Sequence, residues 1–294
     1  MAKNTIGITP GDAAGIGPEI VAAALDSGKI DHDFEYCVIG EAIACEPGKP
    51  TPETAKAAHR ALEEATRLAL SGEITAIVTG PIHKARMQQA GFDFPGQTEF
   101  FAARSGVENI AMLLTGGSLT VALVTAHVPL REVAQLLNTD EIIRVGELLA
   151  GFLQLRTGKA ARIAVAGLNP HAGESGALGR EEIEIIAPAV ERLNAKCKMQ
   201  NAKFSAPLSP DTVFNRAANG EFDAVLCMYH DQGLIPLKLH AFDSGVNVTL
   251  GLPFVRTSPD HGTAFEIAGK GIARPDSMIA AINLAAELTK KRKR

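Results

Sequence analysis

Three histidines stand at comparable places in this chain of 294 residues. His127 closes "LTVALVTAH", His171 comes just after "RIAVAGLNP", and His230 comes just after "FDAVLCMY". Each follows an apolar run of strand composition. One histidine at a strand end is more often a hydrogen-bonded turn residue than a ligand. Three at equivalent positions point further: three neutral imidazoles with an open fourth position suit a catalytic zinc or a similar divalent ion. Asp231 directly follows His230, and Asp211 sits in "SPDTVF". Either carboxylate is placed to orient an imidazole or to move a proton. The basic residues of the same kind of loop are Lys84, Lys238 and Arg256. With Thr98 and Asn247 they offer charge and hydrogen bonds to an anionic group. A small phosphorylated or carboxylated substrate fits that set. His83 and His261 lie in similar loops without the strand-end equivalence, and His32, His59 and His240 read as surface or packing residues.

Alternating strands and helices must position these groups. "TIGIT" (5–9), "YCVIG" (36–40), "ITAIVTG" (74–80), "RIAVAGL" (162–168), "FDAVLCMY" and "VNVTLGL" read as strands, and "IAMLLTGG" and "LTVALVTA" as neighbouring ones. A helix is expected from about Pro18. Another runs over 52–72, with Ala58, Leu62, Ala65 and Ala69 on one face and Gly72 at its end. A helix over 139–155 is expected to be capped by Thr139 or Asp140. "REEIEIIAPAVERLNAK" is a helix interrupted or shifted at Pro188, and "DSMIAAINLAAELTKK" closes the chain. This alternation implies an α/β fold with a largely parallel sheet covered on both faces. Ligands then collect at the carboxyl ends of the strands. Reading those ends gathers "PGDAAGIGPE", "GPIHK", His127, "NPHAGESGALG", "YHDQG" and "PFVRTSPDHGTA". The glycine-rich turn at 10–19 lacks the dinucleotide fingerprint G-x-G-x-x-G, and no Walker lysine motif is present.

Composition narrows the function classes. The chain is 46% hydrophobic and 21% charged, with a formal net charge of -4. That balance argues against a nucleic-acid-binding surface. The basic run 290–294 reads as a solvated helix end. The four cysteines form no Cys-x-x-Cys pair, so neither a disulfide framework nor a cysteine zinc site is expected. Neither a signal peptide nor a membrane span is evident, and a reducing cytoplasm is the expected compartment.

Six motifs, in order, carry a resemblance: "TPGDAAGIGPE", "TGPIHK", "GQTEFFA", "LNPHAGESGALGREE", "MYHDQGLIPLK" and "NVTLGLPFVRTSPDHGTAFEIAGKG". Together they resemble the 4-hydroxythreonine-4-phosphate dehydrogenase (PdxA) family over most of the chain. The resemblance implies an isocitrate/isopropylmalate dehydrogenase-like fold, two α/β domains with a cleft between them. Residues 1–100 with 245–294 would form the first domain. Residues 101–244 would form the second, with the metal histidines and the dimer interface. It implies a homodimer whose active site is shared between subunits. It also implies a divalent metal (zinc, or magnesium, manganese or cobalt) held by His127, His171 and His230 from both subunits. Substrate contacts carry over to Gln97, Thr98, Lys238, Asn247 and Arg256. Catalytic roles carry over to Asp211, Asp231 and Lys238. The segment "HGTAFEIAGKG" resembles the nucleotide loop of isopropylmalate dehydrogenases. His261, Gly262, Thr263 and Glu266 are its cofactor candidates. A carboxylate at Glu266 would repel a 2′-phosphate, which favours NAD over NADP.

The implied reaction is oxidation of 4-hydroxythreonine 4-phosphate to a 3-oxo acid, which decarboxylates to 3-amino-2-oxopropyl phosphate in pyridoxal phosphate biosynthesis. Three departures from the family pattern stand out. Gln97 replaces a usual histidine, Ala13 replaces a usual proline, and the region between Gly40 and Glu53 is short. A neutral amide holds a phosphate less strongly than a charged imidazole, by about a factor of ten. The rival readings are therefore a dehydrogenase of 4-phospho-D-threonate or 4-phosphoerythronate, and a metal-dependent hydrolase or lyase without nicotinamide.

Overall fold

The β-rich runs become strands flanked by helices in the computed structural model, which describes residues 4–197 and 201–292. The strands are β1 (Thr5–Thr9), β2 (Glu35–Val38), β3 (Ala76–Thr79), β4 (Ala111–Gly116), β5 (Leu119–Leu123), β6 (Ala161–Ala166), β7 (Ala202–Leu208), β8 (Ala224–Cys227), β9 (Val246–Leu250) and β10 (Val255–Pro259). The chain forms two compact units. One runs to Glu108 and resumes at Val246; the other spans Asn109–Gly245.

In the first unit the strand order is β2-β1-β3-β10-β9. All neighbours are parallel except β9, which runs antiparallel to β10. In the second unit the order is β4-β5-β8-β6-β7, and only β4 runs antiparallel to its neighbour. The middle strands β3, β5 and β8 are buried along their whole length. Such continuous apolar runs mark strands covered on both faces.

The helix Pro52–Ser71 begins at Thr51, whose hydroxyl accepts from the Thr54 N–H, and ends at Gly72 in a left-handed conformation, φ 78°. Proline at its first position suits the fixed φ of a helix start. The helix Thr139–Thr157 is capped by Asn138, which accepts from the Glu141 N–H, rather than by Thr139 or Asp140 as expected. Pro188 lies at the start of the helix Ala187–Lys196, and the preceding Glu182–Ile186 is a π-helical turn. The core of the second unit packs Leu123, Val225 and Cys227 against Leu234 and Leu237 of the helix His230–Ala241. Each side chain of that size contributes about 1.5–3 kcal/mol on burial.

Three strands depart from expectation. β7 lies where no strand was expected. Val255–Pro259 is the buried strand β10, not a loop, so Arg256 is held on a strand between β3 and β9. The antiparallel course of β9 sets Asn247 opposite Ser258, near the carboxyl end of β10. The residues that β9 brings to that edge therefore come from its start, not from the turn that follows it. Among the described residues, no helix is long and apolar enough to cross a membrane.

Candidate active site

In the second unit β5 and β8 are parallel neighbours, so the segments leaving their carboxyl ends emerge side by side. His127 and His230 follow them, and their ring centroids lie 5.4 Å apart with planes tilted by 42°. The two rings line a cavity of about 190 Å³ together with Thr125, Val128, Leu130, Val133, Tyr229 and Asp231. His127 holds a left-handed backbone, φ 55°. Histidine tolerates that region better than most side chains, and such positions cluster at functional sites. His230 Nδ1 lies 2.7 Å from Asp231 Oδ1. A carboxylate can only accept, so Nδ1 carries the proton and Nε2 keeps its lone pair. Asp231 thus fixes the ring and tautomer of His230.

His171 is not part of this pair. Among the described residues no group of three or more histidine, cysteine or acidic side chains is arranged to hold a metal ion. His171 opens a run of five consecutive left-handed residues, His171 to Ser175. It acts electrostatically on Asp211. The Asp211 carboxyl is held below the ordinary carboxylate range. The main cause is the Ser209 hydroxyl, which donates to it at 2.6 Å, and His171 adds a smaller effect. Lys238 lies half-buried in the same helix as His230, two turns on.

The first unit contains a second polar cluster. Arg256 is 3% exposed. It donates to Thr79 Oγ1 at 2.7 Å, Gln97 Oε1 at 3.0 Å and Thr249 Oγ1 at 3.2 Å. Every one of these partners is neutral. Burial lowers the guanidinium pKa to about 10, opposed by Glu99. Its Nε has no partner, and neither do Asn247 Oδ1, Glu99 Oε2 and Thr9 Oγ1, all buried. Thr98 reaches Thr249 Oγ1 at 3.4 Å. Buried polar atoms are nearly always satisfied, so the unpartnered Nε of this buried guanidinium marks a place for a polar ligand. Gln97 is held at both ends: its carbonyl accepts from Arg256 and its amide donates to Gly80 O at 3.1 Å.

The glycine-rich turn is a packing device. Its N–H groups are occupied: Asp12 N on Pro81 O, Gly15 N on Asp12 O, Ile16 N on Thr263 O and Ala14 N on Asp12 Oδ1. A Cβ at Gly17 would lie 1.8 Å from Pro10 O, and one at Gly11 would lie 2.1 Å from Pro81 O. Of the cofactor candidates, Thr263 is buried against this turn, His261 Nδ1 lies 3.1 Å from Gly262 O, and Gly262 and Glu266 are exposed. Sequence reading passed over Thr79, Thr249 and Glu99, which carry no motif of their own. They emerge only through their contacts with Arg256 or their buried, unpartnered atoms.

The β-decarboxylating dehydrogenase of Thermococcus kodakarensis is similar in fold, with a TM-score of 0.58 at 17% identity over 98% of this chain and 84% of that one. The fold is the isocitrate/isopropylmalate dehydrogenase-like one. The family model described as "Pyridoxal phosphate biosynthetic protein PdxA" matches residues 16–285. The 4-hydroxythreonine-4-phosphate dehydrogenase of Caulobacter vibrioides is 44% identical over 99% of each chain. The crystal structure of the Klebsiella pneumoniae enzyme of the same name matches with a TM-score of 0.83 and 38% identity, covering 97% of this chain and 99% of that one. This chain belongs to the PdxA family.

Proposed function

We propose that the chain oxidises the secondary hydroxyl of 4-hydroxythreonine 4-phosphate with NAD as hydride acceptor. The 3-oxo acid so formed loses carbon dioxide to give 3-amino-2-oxopropyl phosphate, a step toward pyridoxal phosphate. The observation that carries this reading is Arg256, a buried guanidinium whose hydrogen-bond partners are all neutral. Glu99 acts on it through charge alone, and its remaining N–H donors suit an anion. Thr98, Asn247 and Gln97 share its neighbourhood and are assigned with it to the phosphate-bearing end of the substrate.

His127 and His230 fit a divalent ion, since they lie side by side with His230 Nε2 left for coordination. Bound there, the ion, zinc by first expectation, would supply Lewis-acid polarisation of the substrate hydroxyl. The third imidazole is assigned to His171 of a second copy of the chain. The helix that carries His230 supports such a copy. Ile235, Leu239 and Phe242 form an apolar stripe along it and are 65%, 90% and 78% exposed. Their spacing is that of one helix face. Asp231 keeps His230 in its coordinating tautomer. Asp211, an exposed carboxylate, is assigned to take the hydroxyl proton. Lys238 is assigned to stabilise the enolate as carbon dioxide leaves. The loop from His261 to Glu266 is assigned to NAD.

Gln97 supports a second reading. Its amide is engaged at both ends and brings no charge to the anion site. A related phosphorylated four-carbon acid, 4-phospho-D-threonate or 4-phosphoerythronate, is the alternative substrate. The proposed reaction is tested by incubating the enzyme, NAD and a divalent ion with substrate labelled at the carboxyl carbon. Labelled carbon dioxide and an aminoketone phosphate in equal amounts are expected. NAD reduction with the label retained would refute the decarboxylation step.

A further inference from the structure

The backbone before His230 and the backbone before His171 are joined by one buried side chain. Strands β6 and β8 run parallel as far as the pair Val165 and Leu226. Beyond that pair the ladder stops, and the chains part toward the two histidine-bearing turns. Gln232, 7% exposed, spans the gap. Its Oε1 accepts from Met228 N–H at 2.7 Å, and its Nε2 donates to Gly167 O at 2.7 Å. A primary amide presents one acceptor and one donor much as a peptide group does. Gln232 thus replaces a missing rung of the sheet with its side chain. Glutamate at this length would keep the acceptor and lose the donor; methionine would lose both.

The link continues on each side. The Met228 carbonyl accepts from Thr125 Oγ1 at 2.8 Å and from Thr125 N–H at 3.2 Å, two residues before His127. Past Gly167, Glu182 Oε1 accepts the N–H groups of Leu168 and Asn169, each at 2.7 Å. Glu182 is 4% exposed and lies in the π-helical turn, a feature often found at functional sites. The left-handed run from His171 to Ser175 begins directly after these anchored residues. Backbone of that kind persists only where its surroundings over-determine it. Thr125, Met228, Gln232, Gly167 and Glu182 form one buried series that touches the segments of all three histidines.

We propose that Gln232 is a positioning residue for the dehydrogenase reaction. It sets the register between the His127–His230 pair and the His171 turn, with Glu182 fixing the far end. The proposal rests on the reading that these imidazoles hold a divalent ion. Side chains that orient ligands without touching the ion typically change affinity or activity by about 10–100-fold.

The test uses the full-length chain, titrated with cobalt(II) and followed by its visible spectrum, alongside thermal melting, kcat and KM. Gln232→Met should melt cooperatively, bind cobalt(II) about 10–100-fold more weakly and lose kcat, while KM for the phosphate ester stays near its natural value. Gln232→Glu, which keeps only the Met228 bond, should fall between the two. A folded Gln232→Met with natural cobalt affinity and kcat would overturn the proposal. If Gln232→Met fails to fold, Gln232→Glu is judged by the same criterion. His230→Ala is titrated in parallel. Natural cobalt affinity in that variant would sink the imidazole reading itself, and the proposal with it. Lost cobalt binding there with an unaffected Gln232→Met rejects the positioning role alone.

Discussion

Replacing Arg256 with methionine should cost part of the stability and remove most of the activity. The stability side follows from the geometry. Burial lowers the guanidinium pKa to about 10, which corresponds to a cost of about 3 kcal/mol for holding the charge inside. The sign is that of a base with a lowered pKa: the cost is present at neutral pH and is relieved only as pH rises through about 10. Opposing it are three hydrogen bonds to Thr79, Gln97 and Thr249. At about 1.5–3 kcal/mol each for bonds from a charged donor they are worth about 5–9 kcal/mol, so the two sides cancel only in part. The activity side does not cancel. A guanidinium has five N–H donors and three are engaged, which leaves two for an anion. Charged bonds of about 1.5–3 kcal/mol each make the loss about 3–6 kcal/mol, or roughly 10²–10⁴ in kcat/KM. Denaturant melts and steady-state NAD reduction on Arg256→Met measure both. A loss of stability above about 6 kcal/mol with activity retained would show that Arg256 serves the fold alone. An unchanged kcat/KM would show that no anion meets it.

Asp231→Asn should stay folded yet bind cobalt(II) about 10–100-fold more weakly, because the amide no longer enforces the His230 tautomer; unchanged titration would reject that role. Leu239→Asp places a charge on the apolar stripe and should convert a dimer into monomers in sedimentation, with activity lost in parallel. A natural chain that sediments as a monomer at full activity would contradict the shared site. The natural enzyme should prefer NAD to NADP in kcat/KM, and Glu266→Gln should narrow the gap; a natural preference for NADP would refute the ribose assignment.

Much of the site was legible because chemistry follows apolar strands in this fold. The runs ending in His127 and His230 are visible as alternations of apolar strand and polar turn. The pairing of those two rings was not, since strand order depends on packing rather than on local pattern. Arg256 looked like a loop residue because Val-Arg-Thr-Ser-Pro has little strand character; only burial between β3 and β9 makes it β10. Its partner Thr79 lies 177 residues away, beyond any spacing rule. The antiparallel β9 reversed which of its ends faces Arg256's neighbours, so Asn247 rather than the following turn is brought near. The left-handed run at 171–175 was hidden because Ala172, Glu174 and Ser175 have no intrinsic preference for that backbone. The cap of the helix at Thr139 was misplaced by one residue, in a stretch "NTD" where every member is a good cap.

The central claim is that this chain is a dehydrogenase whose best substrate is 4-hydroxythreonine 4-phosphate. The most direct measurement is kcat/KM from reduced-nicotinamide absorbance on that ester, on 4-phospho-D-threonate and on 4-phosphoerythronate, with NAD and a divalent ion present. The account predicts the highest value for 4-hydroxythreonine 4-phosphate. A higher value for either other acid, or no reduction of NAD with any of the three, would contradict it.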